Sequence, residues 1–250
     1  MQIARLKHNG VIHWAVIEGK SARLLRNDPY KKIRYTSCVL PLRRATLLPP
    51  ATPSKIILVG LNYREHAREL EMRIPQEPIL FLKPPSSLIG NNGRIVYPPG
   101  VKRLDYEAEL AVVIKKSAKN ISPQKAGEYI FGVSCLNDVT ARDLQAKDGQ
   151  WTRAKSFDTF CPLGPWVQTD INTNDLKIQL YLNGELRQDS STADFIFPVS
   201  RIVSFASRIM TLFAGDIIST GTPKGVGAMK RGDVVEVKID HIGVLKNRVA

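Results

Sequence analysis

Residues 105–114 read DYEAELAVVI and combine a strongly apolar run with two glutamates one residue apart. Side chains alternate between the two faces of a β-strand, so Glu107 and Glu109 are expected to point the same way. Two carboxylates on one apolar surface repel each other and are costly to desolvate. A divalent cation would remove that conflict, and hard oxygen ligands favour magnesium, manganese or calcium over zinc. The spacing alone leaves open a surface strand with two solvated glutamates.

Apolar runs of strand length recur along the chain. They cover residues 55–60, 79–82, 108–115, 130–136, 160–167, 178–182, 217–218, 234–237 and 242–245. Apolar residues at helical spacing predict a helix over 199–212. Asn62, with Glu65 three residues later, predicts a second helix with Asn62 as its N-cap. A strand-rich order with few helices predicts an α+β fold that is mainly β.

The first fifty residues differ in composition from the rest of the chain. They contain ten Lys/Arg and two Asp/Glu, so they carry +8 of the total net charge of +13. Residues 47–53 contain three prolines, which prevent regular strand pairing there. We therefore predict a small basic N-terminal β module at residues 1–50 and a main domain at residues 51–250.

Composition narrows the classes of protein that the chain can belong to. With 250 residues, 43% hydrophobic and 24% charged, it has the composition of a globular protein. No apolar run approaches the roughly 18 residues of a membrane helix, and no signal-peptide core is present. The three cysteines have neither zinc-site nor disulfide spacing, so we expect a cytoplasmic protein. The basic residues form no DNA-binding motif, so we expect no nucleic-acid partner and no membrane.

Two further segments hold residue types that a metal site would use. Asp138 follows the apolar strand 132–137, where side chains leave the core, and could complete an oxygen cage with Glu107 and Glu109. A turn or a helix cap is the alternative. Lys155 is surrounded by alanine, serine and phenylalanine, so it could be held charged near an anion and stabilise developing negative charge. The alternative is an ordinary surface lysine.

A histidine–carboxylate pair and a glycine-rich loop are the remaining candidates. His66 and Glu69 are three residues apart on the predicted helix, so Glu69 could orient and polarise His66 as a general base. A weak surface contact is the alternative. Residues 215–227 contain a loop whose backbone N–H groups could hold a carboxylate. The loop lacks the spacing of a Walker P-loop or of a dinucleotide-binding motif, which argues against nucleotide binding.

Seven ordered blocks of this sequence together resemble the fumarylacetoacetate hydrolase (FAH) superfamily. They are GLNYREHAREL, PILFLKP, DYEAELAVVI, LNDVTARDLQ, RAKSFDTFCPLGPW, LNGELRQ and GDIISTGTPKGVG, and they extend from about Lys55 to the C-terminus. The resemblance implies an FAH-type mixed β-sandwich roll, a homodimer, and magnesium or manganese as cofactor. The first fifty residues resemble the small N-terminal extension of some bacterial and archaeal members.

The resemblance also implies roles for individual residues. Glu107, Glu109 and Asp138 match the three metal ligands, and Lys155 matches the catalytic lysine. His66 and Glu69 match the histidine–glutamate pair of the acylpyruvase and oxaloacetate decarboxylase branch. Three further residues match substrate contacts in the family: Lys83, Gln145 and Thr222.

The function implied by these matches is metal-dependent chemistry on a small 2-oxo acid through a metal-stabilised enolate. We expect acylpyruvate hydrolysis or oxaloacetate decarboxylation, because the His66–Glu69 pair is present. The alternative is 2-hydroxyhepta-2,4-diene-1,7-dioate isomerase or 5-oxopent-3-ene-1,2,5-tricarboxylate decarboxylase of aromatic-acid degradation. A non-enzymatic alternative is a basic nucleic-acid-binding module in which the carboxylates are structural.

Overall fold

Strands dominate the chain, as the apolar runs predict. The computed structural model describes residues 1–250. The strands are β1 (Gln2–His8), β2 (Val11–Glu18), β3 (Ser21–Leu25), β4 (Tyr35–Pro41), β5 (Thr46–Leu48), β6 (Ile56–Val59), β7 (Leu80–Lys83), β8 (Leu88–Ile89), β9 (Arg94–Ile95), β10 (Leu104–Tyr106), β11 (Ala108–Ile114), β12 (Ile130–Asn137), β13 (Thr140–Ala141), β14 (Cys161–Gln168), β15 (Lys177–Leu182), β16 (Glu185–Ser191), β17 (Ile217–Ser219), β18 (Gly227–Met229), β19 (Val234–Ile239) and β20 (Gly243–Val249).

Helices are few and mostly short. The α-helices are α1 (Arg64–Glu69), α2 (Arg142–Asp148), α3 (Thr152–Lys155) and α4 (Val199–Ile209), and 3-10 turns cover Leu42–Arg44, Pro85–Ser87, Pro123–Tyr129 and Thr192–Asp194. No helix has both the length and the apolar character needed to cross a membrane. The prediction of an α+β fold that is mainly β is confirmed.

The strands form three sheets. The largest has twelve strands in the order β4-β3-β2-β1-β14-β12-β11-β17-β6-β7, with β5 beside β1 and β8 beside β14. A five-stranded sheet has the order β16-β15-β19-β20-β9, and β13, β10 and β18 form a third. Most neighbours in the large sheet are antiparallel, while the pairs β17–β6 and β14–β8 are parallel.

Strand β11 lies at the centre of the molecule. Leu110 and Val112 face the larger hydrophobic core, whereas Ala111 and Val113 face a second core on the other side. Alternate side chains of a strand point to opposite faces, so β11 is buried on both. A carboxylate at the start of such a strand has few water contacts and needs charged or hydrogen-bonding partners within the protein.

The N-terminal strands continue the large sheet. Strand β1 pairs with β14 through Gln2 and Ile3, while β1 to β5 also enclose a small core of their own that Trp166 contacts. The division into residues 1–50 and 51–250 stays a prediction.

The expected cap of the second helix is wrong. Helix α1 begins at Arg64, with Tyr63 before it, and the side chain of Asn62 makes no cap hydrogen bond. The Asn62 amide instead donates to the carbonyls of Phe197 (3.1 Å) and Thr220 (2.8 Å). It is buried, so distant backbone groups satisfy it in place of the helix N-terminus.

Candidate active site

Three carboxylates meet at the ends of neighbouring strands. Glu107 lies between β10 and β11, Glu109 is the second residue of β11, and Asp138 directly follows β12. The antiparallel register pairs Ala108 with Asn137, which places the start of one strand beside the end of the other. One oxygen atom from each carboxylate lies within 4.8 Å of those of the other two, and all three residues are buried.

Cationic side chains pair with two of the three carboxylates. The Lys155 ammonium lies 3.0 Å from Glu107 Oε2 and 2.6 Å from Asp138 Oδ2, and Arg142 Nη2 donates to Glu107 Oε1. Burial opposes ionisation of Glu107, but the charges of Lys155 and Arg142 outweigh it and lower its pKa to about 2. Burial likewise disfavours the charged form of Lys155, and Asp138 and Glu107 reverse this, so its pKa is raised. Glu107 and Lys155 are therefore both ionised at neutral pH.

Glu109 has no cationic partner. The Ser219 hydroxyl and the Gly221 N–H donate to Glu109 Oε2, the latter at 3.0 Å. Burial and then the negative charges of Asp138 and Glu107 raise the pKa of Glu109 well above its ordinary value. Glu109 is therefore the one acid of the cluster without an ion-pair partner of its own.

A divalent cation fits this donor set. The three groups offer hard carboxylate oxygens, which suit magnesium or manganese. Asp138 Oδ1 is buried, and its one close partner is the Lys83 ammonium, 2.7 Å away as an ion pair. An oxygen with an unused lone pair, beside an acid with no counter-charge, is the arrangement that a metal ion would complete.

Backbone and side-chain hydrogen bonds fix the carboxylates. The Glu107 N–H donates to Asn137 Oδ1 and the Asp138 N–H to the Glu107 carbonyl, both at 2.9 Å. The Thr140 hydroxyl donates to Glu107 Oε1 at 3.1 Å. Gly221 has φ +90°, and a Cβ there would lie 2.9 Å from Asn62 Cβ, so only glycine brings this N–H to Glu109. The predicted cradle of the glycine-rich loop thus holds a carboxylate of the chain itself.

The histidine–glutamate pair lies on α1 at the rim. His66 Nδ1 is 2.8 Å from Glu69 Oε2, and the Gly225 N–H donates to Glu69 Oε1 at 3.0 Å. A carboxylate acceptor favours the tautomer with the proton on Nδ1, which leaves Nε2 free to accept a proton. His66 is buried, whereas the Glu69 side chain is 40% exposed.

One cavity of about 440 Å³ brings most of the predicted residues together. Six of them line it: His66, Glu107, Asp138, Gln145, Lys155 and Thr222. The other three do not line it. Glu69 contacts His66, and Glu109 lies within 4.8 Å of the other two carboxylates. The Lys83 ammonium is buried against Asp138 and the carbonyls of Val139 (2.9 Å) and Phe160 (2.5 Å).

Sequence reasoning missed the side chains that support these residues. Arg142 also lines the cavity; its guanidinium contacts Glu107, donates to Gln145 Oε1 at 2.5 Å and lies 2.8 Å from the buried carboxylate of Asp105. Gln188 Nε2 donates to the Thr222 hydroxyl at 2.9 Å, and Gln188 Oε1 accepts from the N–H of Ala108. The sequence did contain one signal for such supporting side chains. Acids on an apolar strand must be paired with cations when they are buried, and those cations have to come from distant segments.

Comparison with known proteins assigns the family. Residues 55–250 match the family model described as "Fumarylacetoacetate (FAA) hydrolase C-terminal". The chain belongs to the fumarylacetoacetate hydrolase family. Residues 1–50 match a model described as "Rv2993c-like, N-terminal". The resemblance noted from the seven blocks, including the small N-terminal extension, is confirmed.

Relatives in this family carry several activities. A structure of 5-carboxymethyl-2-hydroxymuconate delta-isomerase from Mycobacterium smegmatis is 39% identical, with a TM-score of 0.95 over 100% of this chain and 99% of that one. Oxaloacetate tautomerase Fahd2a, mitochondrial, of Rattus norvegicus is 41% identical over 84% of this chain and 71% of its own length. Maleylpyruvate hydrolase from Sphingobium sp. SYK-6, solved with manganese (II) ion and pyruvate, is 28% identical, with a TM-score of 0.83 and coverage of 100% and 99%. The FAH-type fold is thereby confirmed.

Proposed function

We propose that this member of the family is a divalent-metal-dependent enzyme that acts on small 2-oxo acids, by hydrolysis of an acylpyruvate or decarboxylation of oxaloacetate. The observation that carries the proposal is the cluster of Glu107, Glu109 and Asp138, with oxygens within 4.8 Å of one another, at the wall of the cavity that His66 and Lys155 line. Magnesium or manganese is the proposed cofactor. The relative solved with manganese (II) ion and pyruvate supports both the metal and the substrate class.

Glu107, Glu109 and Asp138 would hold the cation. Bound there, it would polarise a 2-oxo group as a Lewis acid. Lys155 is already fixed on Glu107 and Asp138, so its charge lies where negative charge develops as a carbon–carbon bond breaks. Such a preformed charge lowers the energy of an enolate without rearranging the site.

Gln145 and Thr222 are proposed to bind the substrate's oxygen atoms. Both line the cavity, and hydrogen bonds from Arg142 and Gln188 hold them in place. The substrate contact predicted for Lys83 stays a prediction. The ion pair of Lys83 with Asp138 supports a role in keeping that carboxylate charged.

His66 and Glu69 are proposed to activate water in the hydrolytic reaction. His66 Nε2 would take a proton as the water oxygen adds to the distal carbonyl, and Glu69 would stabilise the imidazolium. The bond between that carbonyl carbon and C3 then breaks, its electron pair forms the pyruvate enolate, and a proton returns to C3. Decarboxylation gives the same enolate with carbon dioxide as the leaving group and needs no water.

Isomerisation is the second candidate, because relatives at about 40% identity are named an isomerase and a tautomerase. In that case the His66–Glu69 pair would only move protons between carbon and oxygen. The substrate would be 2-hydroxyhepta-2,4-diene-1,7-dioate, or oxaloacetate would be tautomerised.

A substrate panel separates these reactions. The protein, with magnesium or manganese present, is mixed with acetylpyruvate, with oxaloacetate and with the dienedioate. Hydrolysis releases pyruvate and acetate, decarboxylation releases carbon dioxide, and isomerisation changes the ultraviolet spectrum without cleavage. Failure of oxalate, an analogue of the enolate, to bind the manganese-loaded protein would contradict the proposal.

We further propose a cytoplasmic homodimer that binds neither membrane nor nucleic acid. All three cysteines are free thiols, which supports a reducing compartment. The rim of the cavity exposes the apolar side chains of Leu70 and Met72, which a second subunit could cover. Sedimentation at several protein concentrations measures the oligomer directly.

A further inference from the structure

A second cavity adjoins the one that holds the carboxylates. It is an open groove of about 680 Å³, and none of its 12 lining residues carries a charge. Strand β7 and the residues before it form one side, and the end of α4, with Phe205 and Ile209, forms the other. The neighbouring cavity, called the polar cavity, is lined by the charged residues Glu107, Asp138, Arg142 and Lys155 beside hydrophobic ones. In a chain with 24% charged residues, an uncharged groove next to it suits an apolar ligand group.

Three residues lie between this groove and the polar cavity, and two of them are aromatic. Trp151, Phe81 and Ile79 each line both cavities, and the Trp151 and Phe81 rings pack edge to face with centroids 5.2 Å apart. The indole also lies against Gly60, where an added Cβ would be 2.7 Å from Trp151 Cζ3. Glycine at this position therefore allows the indole to close the gap between β6 and the Phe81 ring.

The aromatic wall lies next to the candidate catalytic lysine. Trp151 precedes α3, and the Lys155 N–H donates to the Trp151 carbonyl at 3.0 Å. The Lys155 ammonium is 5.2 Å from the centroid of the Phe81 ring. A ligand whose polar head binds at Lys155 would therefore reach these rings as its tail lengthens.

We propose that Trp151, packed on Phe81, limits the length of the substrate's tail by closing the polar cavity off from the uncharged groove. This inference rests on the proposed function and narrows its substrate class to short 2-oxo acids. Replacing the indole with a small side chain joins the two cavities, so that longer apolar tails can be buried in the groove.

The test is the binding of straight-chain 2-oxo acids to the manganese-loaded protein by calorimetry. Pyruvate, 2-oxohexanoate and 2-oxooctanoate are compared in the wild type, Trp151→Phe and Trp151→Ala. The wild type should bind the long acids no better than pyruvate. In Trp151→Ala the affinity for 2-oxooctanoate relative to pyruvate should rise at least about tenfold, since two buried methylenes suffice for that gain. Trp151→Phe, which keeps an aromatic contact, should change less and covers the case that the alanine variant folds poorly.

A matched pair of second substitutions locates the new binding volume. Ile209 lines the groove and is 55% exposed, whereas Leu186 lies on β16 in the five-stranded sheet and is 47% exposed. Adding Ile209→Asp to Trp151→Ala should remove the gain for the long acid, because the tail would meet a charge. Adding Leu186→Asp should leave that gain intact.

Three outcomes overturn the proposal. The first is an unchanged ratio of long to short acids in both Trp151 variants while oxalate still binds, which leaves the proposed function standing. The second is an Ile209→Asp protein whose oligomeric state differs from that of the wild type, since a second subunit would then cover the groove. The third is a wild type that binds neither oxalate nor any 2-oxo acid, in which case the proposed function fails as well.

Discussion

The carboxylate cluster and the His66–Glu69 pair belong to one cavity but are built differently. Glu107, Glu109 and Asp138 lie at strand ends in the middle of a twelve-stranded sheet and are buried. His66 and Glu69 lie on a six-residue helix, and the residues that follow it expose apolar side chains such as Leu70 and Met72, each 49% exposed. The central sheet positions three carboxylates that repel one another, whereas the short helix carries the pair that is proposed to transfer protons once a substrate is bound.

This difference has a physical reason. Three acids can be kept close together only where many backbone hydrogen bonds resist their separation, which a central sheet provides. A proton-transfer pair needs no such support, because its geometry tightens when a substrate binds. We therefore expect substitutions in the cluster to abolish metal binding and, where a buried ion pair is lost, to lower stability, and substitutions in the pair to change only the reaction rate.

The largest effect is expected for Glu107→Gln. Lys155 and Arg142 lose a buried ionised partner, so the free energy of unfolding of the metal-free protein should fall by about 3–5 kcal/mol. Glu109→Gln is the matched control. An amide there replaces an acid that has no cationic partner and whose pKa is raised by burial and by the charges of Asp138 and Glu107, so stability should change by less than about 1 kcal/mol.

Both variants should nevertheless lose manganese binding. Urea unfolding measures the change in the free energy of unfolding, and calorimetric titration with Mn²⁺ measures metal binding. Equal destabilisation by the two substitutions would contradict the difference between the ion-paired Glu107 and the unpaired Glu109. Mn²⁺ binding by either variant would contradict the role of the substituted residue as a metal ligand.

The next effect concerns the rim. His66→Gln should lower kcat by about 10²–10⁴-fold, because the general base is removed. Mn²⁺ affinity and the melting temperature should stay at the wild-type values, because the His66 ring pairs only with Glu69 on the same helix. A loss of Mn²⁺ affinity in His66→Gln would contradict the separation between a metal-binding carboxylate cluster and a proton-transferring pair on α1.

A smaller effect is expected from pH. The raised pKa of Glu109 means that this group releases a proton when a cation binds. Mn²⁺ affinity should therefore increase with rising pH, about tenfold per unit while one proton is displaced, and level off above the pKa of Glu109. A pH-independent affinity in the wild type would contradict the assignment of Glu109 as an uncompensated acid.

The smallest expected effect is in thiol reactivity. Burial raises the pKa of Cys135 and of Cys161 to about 12, whereas Cys38 is exposed on the edge strand β4. A thiol reagent such as 5,5′-dithiobis(2-nitrobenzoate) should label Cys38 alone in the native protein and all three cysteines in denaturant. Rapid labelling of Cys161, whose neighbours include Lys83 and Asp138, would mean that the sheet beneath the cluster opens readily.

Much of the fold followed from the sequence because the signals were local. The apolar runs 55–60, 130–136 and 178–182 each correspond to a strand, and Asn183-Gly184 forms the turn between β15 and β16. The helix predicted over 199–212 is present as Val199–Ile209. The N-cap at Asn62 failed because residues from two distant segments compete for that amide.

The predicted site residues converge, but their supporting contacts were invisible in the sequence. Glu107 and Glu109 are two residues apart at the start of β11, so their proximity is a local property. Lys83 and Arg142 reach the cluster across 55 and 35 residues respectively, and nothing in their own neighbourhood indicates a buried ion pair. Local patterns report which residues lie on one face of an element, whereas the counter-charges depend on how the sheets and loops pack.

The most direct test of the central claim is anomalous diffraction at the manganese edge from crystals soaked in Mn²⁺. We predict one strong peak with oxygen atoms of Glu107, Glu109 and Asp138 as ligands, each at about 2.0–2.6 Å. Crystals that bind manganese elsewhere, or that show no peak among these three carboxylates, would contradict it.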